Sequence, residues 1–383
     1  MDAAEFIYPN DPHVAWSIMI VLYPYITGLV AGAFVVSSLY HVFDQQVLKP
    51  VARLALVTAL CFCMFATLPL LLHLHHPERA FNIMITPNAT SAMAGFGFIY
   101  SFYMLLLVIE VWLVFRPDIV ERVNTNHGIR RWVYLVLSLG VPRITEQSLK
   151  IDRRLIRILA VVGIPAACVL HGYVGFLFGA VKANPWWSTA LMPVIFLISA
   201  VLSGIAVLLA LYVFICWRHQ VAPEIECLRT LVRYLWIALI TAFSLEALEL
   251  IHMGYEAGSE WHILRTLLTE KLAVSYVLVQ VIVGSLVPLV LLSVAVIAKP
   301  SRRMTVWIAC IAAVLILVQV FAMRWNVVIG GQLFSKSFRG FVEYRISWFG
   351  REGILAAAVV LMLPFIALYG ANRVLPISTA DDH

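Results

Sequence analysis

STALMPVIFLISAVLSGIAVLLALYVFICW, residues 188–217, runs for thirty positions without a charged side chain. A helix on the surface of a soluble protein needs a polar face, and this stretch has none. Crossing the hydrocarbon core takes about 20 apolar residues, so the stretch reads as a membrane span. Working outward from it, eight more runs qualify, at 16–43, 51–73, 90–115, 155–181, 231–253, 272–298, 304–323 and 353–369. Composition agrees: 62% of the 383 residues are hydrophobic and only 13% are charged, too few to cover a soluble surface. The expected fold is an all-α integral membrane protein of about nine transmembrane helices, one polytopic domain over 1–383.

The net charge of +6 lies between the apolar runs, where it reads as topology and not as a nucleic-acid surface. With the N-terminus outside, 18 of the 27 Lys and Arg fall on the inner side and 9 on the outer. The expectation is a multi-pass protein of a bacterial-type cytoplasmic membrane, N-terminus outside and C-terminus inside. The N-terminus has no basic n-region, and its first apolar stretch is too long for a signal peptide. The stretch 132–141 is too short to span and is expected to lie at the interface, beside a basic inner loop suited to anionic headgroups. Six cysteines include no CxxC pair, so neither an iron–sulfur site nor a disulfide framework is visible. His73, His75 and His76 resemble a metal cluster, but a regular helix cannot turn all three to one ion. Asn88-Ala89-Thr90 fits a glycosylation sequon only by a short match.

Ionisable groups inside spans cost roughly 2.5–3.5 kcal/mol on insertion scales and need a reason. In Ser244-Leu-Glu246-Ala-Leu-Glu249-Leu-Ile-His252, the two carboxylates are three apart and share a helix face that His252 continues. Such a ladder suits a proton route to a membrane site; the plainer reading is interhelical hydrogen bonding near the outer interface. Glu110 is a weaker member of that route, or a partner for a loop arginine. In Gly163-Ile-Pro165-Ala-Ala-Cys-Val-Leu-His171-Gly-Tyr173-Val-Gly175, the proline invites a kink and the glycines admit a close neighbour. His171 and Tyr173 are therefore candidate ligand contacts, with Tyr25 and Tyr100 lining the same cavity; each alone also reads as packing. The longest outer loop, starting at Arg324, Trp325 and Asn326 and passing Gln332, is expected to face a partner protein. Catalytic residues and metal ligands are not expected in this chain.

Three segments resemble the NrfD/PsrC family of membrane subunits: Gly163–Gly175, the opening of the fifth span from Pro185-Trp-Trp through Pro193 to Ser203-Gly204, and Arg324-Trp-Asn-Val-Val-Ile-Gly-Gly-Gln332. The likeness covers essentially the whole chain. It implies two four-helix bundles with a flanking C-terminal helix. It also implies a quinone or menaquinone exchanging at His171, Tyr173, Tyr25 and Tyr100 near the outer face, with no haem or iron–sulfur cluster in this chain. Implied partners are a ferredoxin-like iron–sulfur subunit and a molybdopterin or other catalytic subunit, alongside membrane lipid. The implied role is exchange of electrons between the quinone pool and that partner; Glu246, Glu249, His252 and Glu110, read from the residues themselves, are the expected pathway if proton translocation is coupled to it. Two features depart from the pattern: longer members begin with an extra helix, and an aspartate common in the first outer loop is replaced within His76-Pro-Glu78-Arg79. A haem b anchor and an ion-coupled secondary transporter stand as alternatives. Nine spans do not divide into equal repeats, and no helix carries two well-spaced internal histidines.

Overall fold

The computed structural model describes residues 14–88, 90–258, 260–334 and 340–377. Among the described residues nine helical segments are long and apolar enough to cross a membrane. They are α1 (Ile18–His41), α2 (Gln46–His73), α3 (Ala92–Thr125), α4 (Glu146–Gly179), α5 (Met192–Arg218), α6 (Ile225–Glu256), α7 (Ala273–Ile297), α8 (Arg302–Gln332) and α9 (Ile354–Val374). The only strand-like pairing among them is a bridge between Phe334 and Phe341. The all-helical, nine-span expectation is met; α2, α3, α4, α6, α8 and α9 are longer than their apolar runs, and α1, α5 and α7 slightly shorter. A polar first part extends α4 back to Glu146, where Thr145 caps it by accepting from the Ser148 amide; α3 starts at the Ser91 cap and runs on through a polar end to Thr125.

Successive helices alternate direction, so one face of the molecule carries the start of α1 (the proximal face) and the other its end (the distal face). α1 is the hub, packed against α2, α4, α5 and α8. Neighbour contacts also join α2 to α3 and α3 to α4, then α5 to α6, α6 to α7, α7 to α8 and α8 to α5, while α9 lies on α2. The α1–α5 crossing is close because both sides are glycine: a Cβ on Gly32 would run into the Ala200 carbonyl, and one on Gly204 into the Gly32 backbone. Small residues at such crossings let backbones approach where lipid gives no hydrophobic drive.

On the distal face Arg116 pairs with the buried Asp152 at 2.8 Å, and Arg53 with Asp118 at 3.0 Å, tying α4 and α2 to α3. The short helix expected at the interface forms over Gly128–Leu137, earlier than 132–141, because Leu139 and Gly140 take left-handed backbone that ends it. Tyr134 anchors it by donating to the Val374 carbonyl at 3.1 Å, and Trp112 donates to the Leu137 carbonyl at 2.8 Å.

Two local departures from regularity shape the site. From Ala273 to Leu286, α7 is wound wider than an α-helix, with the Val287 amide reaching back to Ile282. Long π-helical winding is rare and concentrates at functional sites. The second is a correction: α8 does not stop at 323. Its helix continues to Val328, and a 3-10 turn carries Gly330–Gln332. Arg324 and Asn326, expected on a partner-facing outer loop, are fully buried inside the molecule. The helix continues because the buried polar groups find partners on α4, α5 and α7, which an exposed loop would not offer. Trp325 packs edge-on to Tyr344 at 5.3 Å, and Gln332 is half-buried, accepting from the Trp16 amide at 3.4 Å. Lys336 and Arg339 of that expected outer loop, and Ala89 of the sequon, lie outside the described residues.

Candidate functional site

Between α5, α6, α7 and α8, towards the proximal face, a cavity holds about 460 Å³ of empty space, including its open mouth. Met192, Ile195, Leu250, Met253, Met323 and Val327 give it apolar walls, and Trp186 and Tyr276 add aromatic ones. Its polar groups are Glu246, Glu249, Gln280 and Asn326. Glu249 lies seven residues before the end of α6, about 10 Å in from the proximal helix ends.

The roof comes from the loop before α5. Trp186 and Trp187 donate their indole N–H groups to the Asn326 and Val327 carbonyls at 3.1 and 2.6 Å. Asn184 donates to the Gly331 carbonyl at 2.6 Å. These are carbonyls that the end of a helix leaves unpaired, so the tryptophans cap α8 while Trp186 covers the cavity. A Cβ on Gly331 would collide with the Trp187 indole and one on Gly330 with the Leu272 side chain, which is why two glycines stand there.

A directed hydrogen-bond chain crosses the cavity wall. Ser275 donates to Asn326 Oδ1 at 2.6 Å, Asn326 Nδ2 donates to Gln280 Oε1 at 2.7 Å, and Gln280 Nε2 donates to Glu246 Oε2 at 2.9 Å. Gln319 Nε2 lies 3.4 Å from Glu246 Oε1. Every donor points towards Glu246, an arrangement that an ionised, acceptor-only carboxylate satisfies. Gln319 comes this close because α7 carries Gly284 opposite it, where a Cβ would overlap the Gln319 side chain. Glu249, one turn away, has its Oε1 buried with no partner among the described residues.

Behind this wall sits the buried cation. Arg324 Nη2 donates to Ser199 Oγ at 2.7 Å and to His171 Nε2 at 3.0 Å, and the guanidinium lies 3.8 Å from the Phe196 ring centre. A cation over a desolvated ring is worth about 2 kcal/mol. A guanidinium only donates, so His171 Nε2 must accept and the imidazole is neutral, with its proton on Nδ1. That Nδ1 is buried and unpartnered among the described residues. No carboxylate lies within 4 Å of Arg324 among the described residues; Glu246 is the one near enough to act on its charge.

The sequence-predicted residues divide accordingly. Glu246 and Glu249 face the cavity together, whereas His252 is largely exposed and lies 3.7 Å from Glu256. His171 stands behind Arg324 and does not line the cavity. Three tyrosine hydroxyls donate elsewhere: Tyr25 to the Leu317 carbonyl at 3.3 Å, Tyr100 to the Cys63 carbonyl at 2.5 Å and Tyr173 to the Ala92 carbonyl at 2.8 Å. Glu110 is buried without the arginine partner weighed for it, since Arg116 pairs with Asp152. His73 and His76 turn to different carboxylates, Glu352 and Glu78. Gln280, Gln319, Ser199 and Tyr276 went unread, although one amide in each apolar run, VLVQVIV and LILVQVF, marks a polar group that needs a partner in lipid.

A family model described as polysulphide reductase, NrfD, matches residues 8–336. A selenate reductase subunit of Mesobacillus selenatarsenatis is 36% identical over 206 residues, 52% of this chain and 48% of that protein. Protein NrfD of Escherichia coli is 28% identical over 202 residues, 51% of this chain and 59% of that protein. The Hdr-like menaquinol oxidoreductase integral membrane subunit of Archaeoglobus fulgidus is 23% identical over 329 residues, 85% of this chain and 73% of its own. The chain thus spans about half the length of the first two relatives and most of the third.

Proposed function

Since this chain belongs to the polysulphide reductase NrfD family, we propose that it is the quinone-handling membrane subunit of an oxidoreductase complex, with the quinone headgroup in the cavity between α5, α6, α7 and α8. The observation that carries this reading is the cavity's chemistry. An aromatic and thioether lining suits a flat apolar ring, and two carboxylates stand in one wall.

A quinone supplies two-electron, two-proton chemistry when bound. The chain's part is to bind, orient and move protons. Trp186 and Tyr276, packed edge-on to each other at 6.0 Å, give the ring one aromatic wall, and Glu249, whose Oε1 has no protein partner among the described residues, exchanges a proton with the ring oxygen. Glu246, held by Gln280 and Gln319, is the fixed negative charge that Arg324 balances from behind. His171 orients Arg324, a support position instead of a direct contact. Protons leave along α6 towards the proximal face.

Electrons pass to an iron–sulfur partner docked on that face, itself joined to a molybdopterin or other catalytic subunit; the names of the selenate reductase and menaquinol oxidoreductase relatives support such an assembly. The excess of Lys and Arg on the distal side supports a bacterial cytoplasmic membrane with that face inward, and removing the buried Arg324 from the proximal tally only widens the excess.

In the purified complex, Glu249→Gln is expected to lower quinol-dependent turnover about 100-fold, the lower end of general acid–base effects, with dye-linked activity of the partner unchanged. Ile195→Trp, which fills the cavity, should do the same through quinol affinity. Wild-type quinol turnover in both variants would place the quinone elsewhere.

A further inference from the structure

The first three helices hold polar atoms that the cavity does not use. Glu110 of α3 is fully buried, and neither carboxylate oxygen has a hydrogen-bond partner among the described residues. Seven residues deeper on the same face of α3, the Tyr103 hydroxyl is also buried and unpartnered there. Tyr103 lies edge-on to Phe34 of α1 at 5.7 Å and within electrostatic reach of Glu110, Cys63 and Cys168. Towards the distal face, Ser37 Oγ and His41 Nε2 stand one turn apart on α1, and Thr58 Oγ1 stands on α2; each is buried with no partner among the described residues.

Native proteins pair more than about 90% of their buried polar atoms, and ordered water takes those that the protein leaves. These five residues, on three neighbouring helices, carry the polar atoms that ordered water would pair. The distal end of this line is short: Glu110 is six residues, about 9 Å, from Arg116 at that face. There the charged groups facing it are the Arg53–Asp118 pair, with His41 within reach of Arg53, and the Arg116–Asp152 pair. Its inner end points at span four. Cys168 is one turn from His171, whose Nδ1 is the next buried orphan.

We infer that Glu110 is a proton-loading site, separate from the cavity and fed by water from the distal face. A proton enters by way of His41, Ser37 and Thr58 and rests on a Glu110 oxygen. It moves on past Tyr103 towards the inner end of the line near Cys168 as another replaces it; no electron moves in this segment. The site's purpose rests on the quinone reading, but its existence does not.

Infrared spectroscopy of the purified complex tests the site without any quinone. The carbonyl stretch of the protonated acid is expected to shift promptly on exchange from H2O into D2O, to vanish in Glu110→Gln and to move in Glu110→Asp. A band that resists exchange would overturn the inference, as would a spectrum unchanged by both substitutions. In proteoliposomes driven by a short-chain menaquinol, Glu110→Gln should lose uptake of protons from the distal compartment, and Glu110→Asp should keep part of it. Undiminished uptake in Glu110→Gln would also overturn the proposal. Normal quinol turnover in Glu249→Gln would instead sink the cavity reading and leave the D2O result standing.

Discussion

Arg324 ends an apolar run in the sequence and therefore looks like the first residue of a loop. In the structure it is a buried cation whose charge is offset by Glu246 across the cavity wall. Removing the cation takes the donor from Ser199 Oγ and His171 Nε2 as well as the charge that acts on Glu246, and each buried group left unpaired costs about 1–3 kcal/mol. Arg324→Met is therefore expected to lower the unfolding midpoint in detergent strongly, and Arg324→Met with Glu246→Gln to recover at least about 1 kcal/mol of that loss. Strictly additive losses in this double-mutant cycle would show that the two charges do not see each other. Gln280 is the matching amide: Gln280→Leu strips a donor from Glu246 and an acceptor from Asn326, at an expected cost of about 1–3 kcal/mol. Glu246 and Glu249 were legible from their three-residue spacing. The role of Arg324 was not, because hydropathy cannot distinguish a charge that leaves the membrane from one with partners inside it.

At the scale of elements, the number and direction of the helices followed from runs of about 20 apolar residues, since lipid permits few other spanning structures. What the runs could not reveal was winding and approach. The wide turns of α7 bring Gln280 to Glu246 and Asn326, and no residue preference announces them. Glycines were visible in the sequence, but not which helix each would admit. Gly32→Ala sets a methyl against the Ala200 carbonyl, so overpacking of about 1–3 kcal/mol should outweigh the roughly 1 kcal/mol of helix propensity gained. A variant with a raised unfolding midpoint would mean that α1 and α5 have slack between them. Gly331→Ala should displace the Trp187 indole from the Val327 carbonyl, seen as a shift in tryptophan emission. An unchanged spectrum would count against the capping role.

For the whole molecule, the distal face carries most of the Lys and Arg and the short Gly128–Leu137 helix, and the cavity lies nearer the proximal face. Reporter fusions at the C-terminus are expected to report the cytoplasm; a reporter active only outside would invert both the membrane orientation and the compartment that feeds Glu110. The family resemblance was readable in the sequence because the Pro185-Trp-Trp and Arg324–Gln332 segments are each contiguous, and in the structure the Trp187 indole donates to the Val327 carbonyl while the adjoining Asn184 amide donates to that of Gly331. The cavity was not readable, because its walls come from four helices that only the fold brings together. Its occupant is the central claim, and photoaffinity labelling of the intact complex with an azidoquinone tests it most directly. Labelled peptides should map to Trp186, Met192–Ile195, Leu250–Met253 or Tyr276, with competition by excess menaquinol. Competable labelling confined to α1 and α3, around Tyr25 or Tyr100, would contradict the account and put the quinone among the first helices.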